Sequence, residues 1–153
     1  MYFISVLALI ITSIFFFIVG PGKGSNMIYW FIDLPSLLPL ILFNITMLLS
    51  AGLLKDFNNA FRFVGRTDQE ESLTKLRRSI EAVRLARRVT LAAGGFDLFF
   101  QFILILGRMD FPEILGPYIA IGMLGLLYAF AFVLLLLPME SRLQIKLQNM
   151  LQD

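Results

Sequence analysis

The chain has no cysteine and no histidine. That excludes disulfides, thiol nucleophiles, Cys/His ligation of zinc or haem, and a histidine general base. Charge is also scarce: Asp, Glu, Lys and Arg make up 16% of the 153 residues, against about 25% in an average soluble domain. What is abundant is apolar: 58% of the residues are hydrophobic, and the mean hydropathy is +0.81. The excess is gathered in four blocks, residues 2–19, 36–54, 89–106 and 115–137, which together hold one charged side chain, Asp97.

Each block is near the ~17–25 residues that span the hydrocarbon of a bilayer. The pattern predicts an all-α membrane protein in one domain. Its expected parts are four transmembrane helices, a short helical cytoplasmic loop over 55–88 and a C-terminal cytoplasmic helix over 139–153. The first block lacks a basic leader and runs into "VGPGKGS" rather than a small-x-small site, so it reads as a retained helix. Nine of the 13 Lys and Arg lie in 55–88. The positive-inside rule then places that loop and both termini in the cytoplasm. Asp56, Asp68, Glu70, Glu71 and Glu81 interrupt the basic run, which argues against nucleic-acid binding. No combination of side chains suggests catalysis, a metal site or a cofactor, and the chain is not expected to be an enzyme.

Tyr29 and Trp30 fit an interfacial anchor, and Asp33 before Leu34-Pro35 fits the start of the second span. The triplet Asn44-Ile45-Thr46 matches a glycosylation acceptor, but its place inside a span discounts it. In the loop, Phe57, Ala60, Phe61 and Val64 share one helix face, expected to prolong the second span past the membrane surface. Thr67 with Glu70, or Asp68 with Glu71, reads as a capping box. Leu73, Leu76, Ile80 and Val83 form a second stripe, and Met139, Leu143, Leu147 and Met150 a third. The two loop helices are too small for a core of their own. Their stripes must pack on each other, on the tail or on neighbouring subunits. Arg77, Arg78 and Arg84 are either a solvated basic face or a docking surface for a cytoplasmic partner.

An acid in mid-span costs roughly 2.5–3.5 kcal/mol on insertion scales. Thr90, Gly94, Asp97 and Gln101 are spaced to share one face of the third span, so Asp97 belongs to a polar seam turned toward protein or water. It either fixes packing as a neutral, hydrogen-bonded acid or carries a proton or cation. In the fourth span, Gly116 with Ala120, and Gly122, Gly125 and Ala129, are small residues that let helices approach closely. Tyr128 sits beside them and needs a hydroxyl partner at that depth. The ion-pathway candidates are Asp97, Gln101, Thr90 and Tyr128.

Residues 110–147 carry Asp110, Pro112, Gly116-Pro117, Ile119-Ala120, Leu127-Tyr128 and Leu137-Pro138, followed by a basic helix. Residues 31–61 carry Asp33, Pro35, Ser36, Lys55 and Phe57. In order and spacing these resemble the MotA/TolQ/ExbB proton-channel family, MotA type, with a reduced cytoplasmic segment. The resemblance implies a homopentameric ring around a single-span MotB-like partner, with ion flow, most simply of protons, driving mechanical work as in a flagellar motor stator. It also implies a bacterial inner-membrane location and a rotor-like cytoplasmic partner meeting the charged loop. Where the family has a Thr pair before the last-span Tyr, this chain has Gly125 and Leu126. Two other readings follow: a non-conducting scaffold of the same fold, or a small four-helix transporter that uses Asp97.

Overall fold

The computed structural model describes residues 34–65, 72–107 and 112–152. These form four helices: α1 (Leu34–Ser50), α2 (Leu54–Gly65), α3 (Leu73–Leu106) and α4 (Pro112–Gln152). No strand occurs among the described residues. The first apolar block, the aromatic anchor, Asp33, the capping-box candidates and the Asp110 turn lie outside them.

α3 and α4 are each long and apolar enough to cross a membrane. At 1.5 Å per residue, the 34 residues of α3 extend about 51 Å and the 41 of α4 about 62 Å. Both exceed the ~30 Å of hydrocarbon. The arginine-rich stretch and the third span are thus one helix, and so are the fourth span and the tail. α4 opens on Pro112, where the missing N–H costs nothing, and it continues through Pro138. α3 begins after Ser72, whose side chain makes no capping hydrogen bond.

The second span does not run on past the surface as the sequence pattern suggested. α1 ends at Ser50, and α2 leaves at 105° to it. The cause is a Schellman turn. Gly52 takes φ +65°, the Gly52 N–H donates to Leu49 O at 2.9 Å and the Leu53 N–H to Leu48 O at 2.9 Å. Leu53 packs against the buried cluster that contains Leu48, the apolar contact that usually accompanies this turn. Taken as one broken span, α1 and α2 bring the number of candidate membrane crossings to three.

Ser36, Leu40 and Leu48 form the buried face of α1, four-residue steps that bring one side of the helix against the bundle. The dense core lies around the C-terminal end of α1. Leu76, Ile80, Val83 and Ala86 of α3, Ala60 of α2, and Leu136, Met139 and Leu143 of α4 are buried together with Leu48. Phe57, Val64, Leu147 and Met150 pack around them. The three stripes therefore close on one another within a single chain. Two of their members are left outside: Leu73 is 39% and Phe61 49% exposed.

Candidate functional site

α3 and α4 run antiparallel in steady register. Arg84 and Arg87 meet Glu140, Gly94 meets Ala129, Asp97 meets Gly125 and Gln101 meets Gly122. Arg84, Arg87, Thr90, Gly94, Asp97 and Gln101 succeed one another at steps of three and four, so all lie on the α3 face turned to α4.

The small residues of α4 make this contact possible. A Cβ added to Gly122 would come within 2.9 Å of the Gln101 Cβ, and one added to Gly125 would overlap Asp97 Oδ2 and lie 3.0 Å from its Cγ. On α3, a Cβ at Gly94 would overlap that of Ala129. The Asp97 carboxylate thus lies on the α4 backbone of its own chain. Gly94, Gly122, Gly125 and Ala129 are spent on packing within the chain, so the stripe does not by itself point to a neighbouring subunit. Gly116 and Ala120 are exposed, and nothing lies within 4 Å of a Cβ built on Gly116. Tyr128 is half-buried beside Ala129.

Thr90 is 2% exposed and is bonded on two sides. Its hydroxyl reaches the Ala86 carbonyl at 2.8 Å, and the Asn44 side-chain amide of α1 donates to the Thr90 Oγ1 at 3.0 Å. Asn44 also donates to the Leu40 carbonyl at 2.9 Å. A polar residue in a span has few partners to choose from, and this pair ties α1 to α3. Asn44 was passed over in the sequence except as a discounted glycosylation triplet. Its position as a lone amide in an apolar run was the available signal.

Glu140 was missed as well. It is 6% exposed, with Arg84 Nε at 3.2 Å from one carboxylate oxygen and Arg87 Nη1 at 3.1 Å from the other. Glu81 and Gln144 extend the cluster. Two guanidinium groups offset the charge of one buried carboxylate where a single partner would leave much of it uncompensated, although only the Oε1 oxygen accepts hydrogen bonds and the buried Oε2 accepts none. The signal was an acid directly after Leu137-Pro138-Met139, facing a basic helix. Of the docking candidates, Arg84 is held in this cluster, and Arg78 pairs with Asp56 at 3.0 Å and reaches the Gly52 carbonyl at 3.4 Å. Arg77 is exposed, and among the described residues it forms no ion pair.

Past Gln101 the two helices leave a half-open groove of about 180 Å³ lined by Leu98, Gln101, Phe102, Ile105, Ile119, Gly122, Met123 and Leu126. Gln101 is its one polar side chain. The described residues contain no cluster of three metal-ligating side chains. Chemically, the seam offers a carboxyl, a carboxamide and a hydroxyl in line along one helix: groups that exchange protons and hydrogen bonds but contain no nucleophile activated by a base.

Compared with family models, with curated proteins and with solved structures, the chain has no match. The structure defines a helical protein in which, among the described residues, two helices are long and apolar enough to cross a membrane.

Proposed function

We propose that the chain is a four-span, MotA-like subunit of an ion-driven complex in a bacterial inner membrane, ring-forming and assembled around a single-span MotB-like partner. The supporting observation is the α3–α4 pair: two helices longer than the bilayer is thick, in steady antiparallel register, with Asp97 and Gln101 along their seam and Thr90 farther along α3, bonded to Asn44 of α1. The charged continuations of both helices, closed by Glu140 and the α2–α3–α4 core, suit a part that carries force out of the membrane. Protons are the ion this seam suits best, since the Asp97 carboxyl can take up and release one. The basic loop and the tail face the cytoplasm in this reading, with Arg77 the best-placed docking cation.

A non-conducting scaffold of the same fold is the second reading, and one observation favours it: the Asp97 carboxylate rests on Gly125 of its own chain, as a packing acid would. The two separate on Asp97→Asn. In proteoliposomes of the chain with its co-purifying partner, the motor reading expects proton flux to be lost while native mass still reports a pentamer. Unchanged ion-driven activity in the Asn variant sinks conduction through Asp97 and leaves the scaffold. A monomer or dimer under mild detergent overturns the ring, and a dimer with flux restores the small-transporter reading. Topology is checked with cysteines at Ser72 and Ser25: labelling of position 72 by an impermeant reagent outside intact cells overturns the orientation.

A further inference from the structure

α2 has two unlike sides. Inward, Ala60 is fully buried, Phe57 and Val64 pack on the core, and the helix's one acid, Asp56, is turned to Arg78 at 3.0 Å. Outward, Leu54, Lys55, Asn58, Phe61 and Arg62 are exposed along one face. That face has two cations, no anion, and two large apolar side chains, Leu54 at 36% and Phe61 at 49% exposure. Phe57 braces Phe61 edge-on, with ring centroids 5.3 Å apart at 86°, so the aromatic is held outward rather than folded back. On α1, just before the turn, Leu49 is exposed as well, at 58%.

The Gly52 turn sets α2 at 105° to α1. Where α1 crosses a bilayer, α2 therefore lies along the bilayer surface. Helices that lie in the interface carry Phe or Leu toward the acyl boundary and Lys or Arg toward the phosphates. Juxtamembrane cations are drawn to anionic lipid. We propose that the outward face of α2 is seated on the anionic headgroup layer, with Phe61 and Leu54 dipping toward the acyl chains and Lys55 and Arg62 on lipid phosphates. The sign of the exposed charge on that face, all of it positive, beside the exposed Leu54 and Phe61, favours anionic lipid over a protein partner. The proposal rests on the membrane reading of α1, α3 and α4, and on neither the ring nor ion flow.

The test uses the full chain with Trp30→Phe and Phe61→Trp, which leaves position 61 with the one indole. It is reconstituted in phosphatidylcholine vesicles with and without phosphatidylglycerol. With the anionic lipid, the expected emission is blue-shifted, strongly quenched by lipids brominated near the headgroup and weakly quenched by aqueous iodide. Omitting phosphatidylglycerol, or adding Lys55→Glu and Arg62→Glu, should shift emission to the red and raise iodide quenching. An indole solvated in all vesicles overturns the proposal, as does quenching indifferent to lipid charge and to both substitutions. Shielding from both quenchers, with a cross-link between cysteines at position 61 of two copies, overturns it in favour of a protein neighbour. Alkaline extraction is run in parallel: release of the chain from the vesicles defeats the membrane reading itself, whereas retention with a solvated indole defeats the α2 assignment alone.

Discussion

The two ends of the α3–α4 pair are held together by different physics. At the charged end, Leu76, Val83, Met139 and Leu143 are essentially inaccessible, and they form a core of the kind found in a soluble bundle. At the apolar end, large side chains point outward: Phe99 is 70%, Ile103 66% and Met123 63% exposed. There the contact is made by glycine, alanine and a few polar atoms. On the membrane reading proposed above, the difference follows from the solvent. Water drives Leu and Met together, whereas lipid does not, so within the membrane close approach and hydrogen bonding must supply the attraction. Glu140 with Arg84 and Arg87 marks the changeover, followed along α3 by the Thr90–Asn44 pair.

This contrast can be broken from either side. Leu143→Ala at the charged end should cost the most, about 2–5 kcal/mol as for buried leucines generally, seen as a lowered midpoint of denaturation in mild detergent. Glu140→Ala should cost about 2–3 kcal/mol, at or below the figure for a broken buried pair because both arginines keep some contact with water. Glu140→Gln should recover part of that loss. In the apolar half, Gly125→Ala should cost about 1–3 kcal/mol through overpacking. Because the added methyl meets Asp97, Asp97→Ala in the same chain should relieve much of it, and simple additivity of the two would refute the contact. A double-mutant cycle on Asn44→Ala and Thr90→Ala should give a coupling of about 0.6–1.7 kcal/mol. Ile103→Val, on the outward face, should stay within about 0.5 kcal/mol. A loss as large as that of Leu143→Ala there would mean that the face is covered by protein.

The helical periods were legible because their cause is local. Leu76, Ile80 and Val83, and Met139 and Leu143, recur at helical steps, and burial follows the step. The α3 seam was legible for the same reason: Thr90, Gly94, Asp97 and Gln101 occupy one face whatever lies opposite. What lies opposite was not legible. That Gly125 receives Asp97 within the chain depends on the register of two helices, which sequence spacing alone does not fix. Gly52 was readable as a helix terminator, yet an apolar run on both sides of it hid the turn. Glu140 and Asn44 escaped because each is a single polar residue whose meaning comes from a partner about 46–56 positions away.

The seating of Asp97 on Gly125 also bears on how the chain enters a membrane. α3 is synthesised before α4, and an acid in the middle of α3 makes that segment a poor candidate to partition into lipid alone, by roughly 2.5–3.5 kcal/mol on insertion scales. The surface that covers the carboxylate is the backbone of α4. The segment that needs help thus comes off the ribosome first, and the segment that supplies it follows. α3 should wait at the insertion machinery until α4 emerges, and the two should pass into the bilayer as a hairpin. Truncation before α4 would then leave α3 outside the bilayer and open to protease, while the same truncation carrying Asp97→Leu would protect it.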